Sequence, residues 1–162
     1  MVKFSKFLKN NNRKAVLFMA SPQSQHDLTA WAMAKGFDLT KSYSGNELKP
    51  GEFDFHITVI CSENEAYIED SVRKIQPLTV DFTGFEVLGV DRKVPVLTTA
   101  CTPQMQDHRD FFEDFYGLHD NWPTWKTHVS LSYNWFGLPD ISTMELPNFS
   151  ITLDRITVNP LI

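Results

Sequence analysis

Two hydrophobic rhythms run along the chain, and the changes between them mark its elements. Ala15 to Ala20 (AVLFMA) is a continuous apolar run, the pattern of a central strand covered on both faces. Ser21-Pro22 then supplies a hydroxyl cap and a proline at the first helical position. Leu28, Trp31, Ala32 and Met33 place an apolar stripe on a helix that ends near Gly36. Residues 38–54, with Gly45, Pro50 and Gly51, predict a long loop. The segment 55–61 alternates with period two, with Phe55, Ile57 and Val59 on one face and His56 and Thr58 on the other. Ala66, Ile68, Val72 and Ile75 predict a surface helix over 63–75, stopped by Pro77. Leu78 to Val90 reads as a strand with a bend or bulge at Gly84. Ahead of all this, Phe4, Phe7 and Leu8 at helical spacing predict a short helix within 1–14, broken by Asn10 to Asn12.

The plan then restarts. Val94 to Ala100 is a strand, and Thr102-Pro103 caps a second helix whose apolar side is Phe111, Phe112, Phe115 and Leu118. A loop over 119–126 leads into a second alternating strand, 127–133. There Val129, Leu131 and Tyr133 face the core, while His128, Ser130 and Ser132 share the open face. A turn region around Gly137 and Pro139 precedes a last strand, 149–158. Val16-Leu17 aligns with Val96-Leu97, His56-Ile57-Thr58 with His128-Val129-Ser130, and Val80 to Val87 with Ile151 to Val158. The order strand, helix, H-x-[ST] strand, long strand thus occurs twice. The expectation is a single domain, 1–162, with pseudo-repeats over about 15–90 and 94–159 and the two motif strands placed across one cleft from each other.

Composition narrows the chemistry. A chain of 162 residues suffices for one domain with a substantial core. The net charge of −5 argues against a broad cationic surface for long nucleic acid, yet a small anionic ligand needs only a locally positive site. Lysine and arginine cluster conspicuously only over Lys3–Lys14. Cys61 and Cys101 make no disulfide framework and read as buried thiols. Neither a secretory signal nor a run of membrane-spanning length is present, so a soluble cytoplasmic protein with no membrane partner is expected.

The paired H-x-[ST] segments carry the candidate chemistry. In-line cleavage of a phosphodiester needs a base for the attacking oxygen and an acid for the leaving oxygen. Histidine, with an ordinary pKa near 6.5, serves as either. Thr58 and Ser130 would donate hydrogen bonds to the non-bridging oxygens, where charge accumulates. A metal site would need further ligands. By strand parity Cys61 falls on the face opposite His56, while His108 and His119 sit on or after the second helix and Asp107, Asp110 and Asp114 near them read as a solvated helix face, so no metal or other cofactor is expected. His26 reads as a surface residue. Walker A, G-x-G-x-x-G and nucleophile-elbow sequences are absent. Trp122 and Trp125 lie in the loop entering the second motif and Tyr133 at its exit. Aromatics at a cleft rim stack on nucleobases at about 1–3 kcal/mol each. Trp122, Trp125, Lys126 and Tyr133 are therefore the expected substrate-binding residues.

The motifs His56-Ile57-Thr58 and His128-Val129-Ser130, each followed by apolar strand residues, resemble the two signatures of the 2H phosphoesterase superfamily. That resemblance implies an α+β, bilobal fold of two pseudo-symmetric halves, with antiparallel sheets lining a central groove and helices outside. It implies metal-independent phosphodiesterase chemistry, with His56 and His128 as the acid–base pair and Thr58 and Ser130 holding the phosphate. The chain length, the Ser21-Pro22 turn and the HVSLSY sequence are further similar to bacteriophage anti-CBASS nucleases. Those enzymes linearise cyclic di- and trinucleotide immune messengers through a 2′,3′-cyclic phosphate in the host cytoplasm. An RNA 2′,3′-cyclic phosphodiesterase or RNA-end enzyme of the same fold is the alternative, and a non-catalytic nucleotide sponge is the alternative of another class.

Overall fold

The computed structural model of the protein describes residues 13–62, 64, 68–120 and 124–160. The chain is α+β. Its strands are β1 (Lys14–Ala20), β2 (His56–Cys61), β3 (Ser71–Val80), β4 (Phe82–Leu88), β5 (Val94–Thr99), β6 (His128–Ser130) and β7 (Ile151–Pro160). Its helices are α1 (Pro22–Ala34) and α2 (Pro103–Tyr116). The strands form one seven-stranded sheet in the order β3-β7-β1-β2-β6-β5-β4, antiparallel at every pairing.

Both helices begin as their sequences predict. The Ser21 hydroxyl accepts from Ser24 N at 3.2 Å, and the Thr102 hydroxyl accepts from Met105 N at 3.2 Å, each just ahead of a proline. α2 stops at Gly117, whose φ of 66° lies in the left-handed region that glycine adopts without steric cost. Both helices lie on one face of the sheet. Trp31 of α1 stacks on Phe85 of β4, His108 of α2 meets Phe18 of β1 edge-on, and Arg73 of β3 lies over the Phe112 and Tyr116 rings of α2. The core between these layers contains Phe18, Ile57, Leu97 and Val129 of the sheet with Leu28, Met105 and Phe112 of the helices.

β3 and β4 occupy opposite edges of the sheet, yet only Asp81 separates them in the chain. Seven strands laid flat would hold these edges about 29 Å apart, whereas Val80 and Phe82 can be no more than about 7 Å apart. The sheet therefore curls until its edges converge at Asp81. The junction is fastened there: Ala100 N donates to Asp81 O at 3.0 Å, and Ser150 Oγ donates to the Asp81 carboxylate at 2.6 Å.

Several expectations are corrected. Residues 71–75 are strand, not the end of a helix, and the rest of the expected helix is partly outside the described residues. The 4,3 spacing of Ile68, Val72 and Ile75 suits a helix, but pairing with β7 makes the segment a strand, in which Ile75 packs on the core and Val72 is exposed. Pro77 is tolerated because β3 is an edge strand, and the register shifts between Lys74 and Leu78. The expected single strand 78–90 breaks at Asp81, while Gly84 does sit at a register shift. On α2, Phe112 is buried, but Phe111 and Phe115 are 45% and 71% exposed; Met105 and Arg109 take inward positions instead. The second motif strand shortens to 128–130. The helix expected within 1–14 lies outside the described residues but for its end, where Lys14 already opens β1.

Candidate functional site

The two motif strands are hydrogen-bonded neighbours. Ile57 of β2 is registered with Val129 of β6, and both are fully buried toward the helices. Strand side chains alternate, so His56, Thr58, His128 and Ser130 all project from the opposite face, each half-buried. Carrying the antiparallel register one residue either way sets His56 across from Ser130 and Thr58 across from His128. The two imidazoles are then diagonal neighbours, about 7–8 Å apart at the backbone and somewhat closer between Cβ atoms, and the hydroxyls fill the other diagonal.

The ladders extend this pattern into two rows across the open face. One runs from Arg155 on β7 through Met19, His56, Ser130 and Val96 to Glu86 on β4. The other runs from Thr157 through Leu17, Thr58 and His128 to Thr98. Met19 and Val96 are buried although they stand on this face, so it is partly enclosed.

Both histidines are held by the same local device. His56 Nδ1 lies 3.1 Å from Asp54 O, and His128 Nδ1 lies 2.7 Å from Lys126 O, in each case the carbonyl two residues back. A carbonyl only accepts, so Nδ1 carries the proton and the neutral ring presents Nε2 as the acceptor. Burial pushes the pKa of His56 below the ordinary value of 6.5; the Asp54 carbonyl and carboxylate oppose that, and His128 adds to it. His56 is thereby biased toward the neutral form that accepts a proton.

A bulge shapes the far end of β2. Val16 pairs with Ile60 and Leu17 with Thr58, so Val59 has no partner on β1. Beyond it the parity inverts, and Cys61, opposite Ala15, lies on the histidine face rather than the face its spacing predicts. The carbonyls here are taken by side chains: Trp125 Nε1 donates to Thr58 O at 3.0 Å, and Arg109 donates to Val59 O while its guanidinium lies 4.9 Å from the Trp125 ring centre.

The expected substrate-binding residues thus separate. Trp125 braces the backbone of the first motif. Lys126 pairs with Glu86 at 2.7 Å, and its carbonyl orients His128. Tyr133 stacks on Phe53 at 5.4 Å and meets Tyr43 edge-on at 5.7 Å; burial raises its pKa, against hydrogen bonding with Ser130. Trp122 lies outside the described residues. Ser132 leaves the motif face, buried, and donates to Asp38 O at 2.7 Å, while Asn134 Nδ2 donates to the Asp38 carboxylate at 2.8 Å. These bonds fasten the 38–54 loop beside the second motif. His108 is half-buried against Phe18, and burial lowers its pKa.

Sequence reasoning missed Arg155, Met19 and Thr98, whose place beside the motifs depends on ladder register. Among the described residues no three His, Cys, Asp or Glu side chains converge as a metal-binding group, and no helix is long and apolar enough to cross a membrane. No protein-family model matches the chain, and no curated protein sequence matches it.

Proposed function

We propose that the protein is a 2H-type phosphodiesterase that linearises small cyclic oligonucleotides. One observation carries the reading: two H-x-[ST] segments from distant parts of the chain lie side by side, with both imidazoles and both hydroxyls on one face. In the proposed reaction a ribose 2′-hydroxyl attacks the adjacent phosphorus. One histidine Nε2 takes the hydroxyl proton, and the other, protonated, gives its proton to the departing 5′ oxygen. Thr58 and Ser130 donate to the non-bridging oxygens as their charge grows. The product is a 2′,3′-cyclic phosphate. Water then attacks it with the two histidines in exchanged roles, which restores both protonation states and leaves a linear product.

The strand order supports a two-lobed, pseudo-symmetric reading of the same sheet. Outward from the motif pair, β2-β1-β7 on one side answers β6-β5-β4 on the other, and β4 and β7 are the segments whose sequences align. The net charge of −5 favours a small substrate over long nucleic acid. A phage-encoded enzyme acting on immune messengers in the host cytoplasm fits this chemistry.

The test is chromatography of cyclic di- and trinucleotides and of an RNA oligomer ending in a 2′,3′-cyclic phosphate, each incubated in EDTA with wild type or with His56→Ala/His128→Ala. Linearisation of the cyclic substrates by wild type alone is expected, and each single alanine variant should lose about 10²–10⁴ in rate. Turnover of the RNA end alone would transfer the assignment to RNA-end processing. Stable binding without turnover would make the protein a nucleotide sponge.

A further inference from the structure

The charged groups of the histidine face are unevenly placed. At its β4 end, Glu86 is neutralised by Lys126. At its β7 end, Arg155 lies opposite Lys74 of β3. Arg73, next to Lys74, stacks on the α2 rings, so alternation puts Lys74 and Arg155 on the histidine face. Like charges directly opposite on neighbouring strands repel, and Asp154, 2.7 Å from Arg155, is the acidic group fastened to the pair. Arg155 is further fixed by donating to Ala20 O at 3.1 Å. Two cations and the Asp154 carboxylate thus meet at this end, and the next carboxylate along the face, Asp54, acts on His56.

Arg155 and His56 stand in the same row with buried Met19 between them. Two strand intervals separate them, about 9–10 Å, a span the arginine's own length shortens. Consecutive phosphates of an oligonucleotide are separated by one ribose, a sugar that bridges the gap between two such anion positions. Resting on the phosphodiesterase reading, we propose that Arg155 and Lys74 form a second anion subsite, which holds a neighbouring phosphodiester of the substrate whose scissile phosphate lies between the histidines. The preferred substrate class therefore carries at least two phosphates in one small molecule.

The test is calorimetric binding in the His56→Ala/His128→Ala background, with 3′,3′-cyclic GMP–AMP as the two-phosphate probe and adenosine 2′,3′-cyclic monophosphate as the one-phosphate probe. Arg155→Met should raise Kd for the dinucleotide tenfold or more and Lys74→Met severalfold, while both leave the mononucleotide within twofold. Arg155 also holds the end of β1, so exposed Lys74 keeps the test decisive if Arg155→Met fails to fold. Equal weakening for both probes, or unchanged dinucleotide binding by Lys74→Met, would overturn the subsite. Turnover by wild type with indifferent binding would sink the subsite and keep the enzyme. Selective binding without wild-type turnover would do the reverse.

Discussion

Replacing Trp125 with phenylalanine separates a tryptophan that reads bases from one that braces the site. Its indole N–H donates to Thr58 O at 3.0 Å, beside the bulge where Val59 has no partner on β1. Phenylalanine keeps an aromatic face for the Arg109 guanidinium but removes the donor, so the Thr58 carbonyl loses this partner. A buried carbonyl stripped of its partner costs about 1–3 kcal/mol. Thr58 is half-buried, which places this loss at the low end, about 1 kcal/mol. For a domain of this size that amounts to about 2–4 °C in Tm. In urea it is a midpoint shift of about 0.5 M without change in slope. Thermal and urea unfolding followed by circular dichroism measure both. The Thr58 hydroxyl should also lose alignment, so kcat should fall more than KM rises. An unaltered unfolding midpoint with a raised KM would refute the bracing role and return Trp125 to the substrate.

The remaining predictions concern groups whose partners are equally plain. The depressed pKa of His56 means that, below the ordinary 6.5, the unfolded chain binds a proton that the folded chain declines, so stability falls as pH falls through the window from 6.5 down to the folded value. His56→Asn should flatten that part of the stability–pH curve in chemical unfolding, and a slope unchanged by the substitution would refute the assignment. The same shift places the acid limb of kcat/KM below pH 6.5, if His56 is the base, in a pH–rate profile. Ser132→Ala removes a buried hydroxyl that donates to Asp38 O and accepts from Asn134 N, and should cost about 1–3 kcal/mol in urea unfolding. In Gly89→Ala the new Cβ would lie 2.1 Å from Arg92 O at a φ of +92°. That substitution should cost more than about 1 kcal/mol in the same assay.

What the sequence disclosed and what it withheld follow a physical division. Ser21-Pro22, Thr102-Pro103 and Gly117 act within one turn of the backbone, so their signals are complete in the sequence. His56 and Thr58 alternate with buried Ile57 because a half-covered strand imposes that spacing. The failures lie where a distant partner decides. Ile68, Val72 and Ile75 suit a helix until β7 is there to pair with β3. Cys61 obeys parity until an unpaired Val59 inverts it. The bond from Trp125 to the Thr58 carbonyl likewise joins residues 67 positions apart and has no sequence signal.

The site is therefore a consequence of register. The ladder between β2 and β6 aligns Ile57 with Val129, and the ladder between β5 and β6 aligns Val129 with Leu97. All three side chains are fully buried against the helices. A slip of β6 by one residue would turn Val129 out and drive His128 and Ser130 into that core. Burying an imidazole and a hydroxyl there without partners costs several kcal/mol in addition to the lost apolar contact. The apolar residues between the motif positions thus do more than fill the core: their burial forces both histidines and both hydroxyls onto one open face. A core variant such as Val129→Ala should, for the same reason, loosen the spacing of the two imidazoles before it unfolds the chain. Its loss of kcat should exceed what its unfolded fraction accounts for, and activity falling only in proportion to that fraction would show that the site is held by other means.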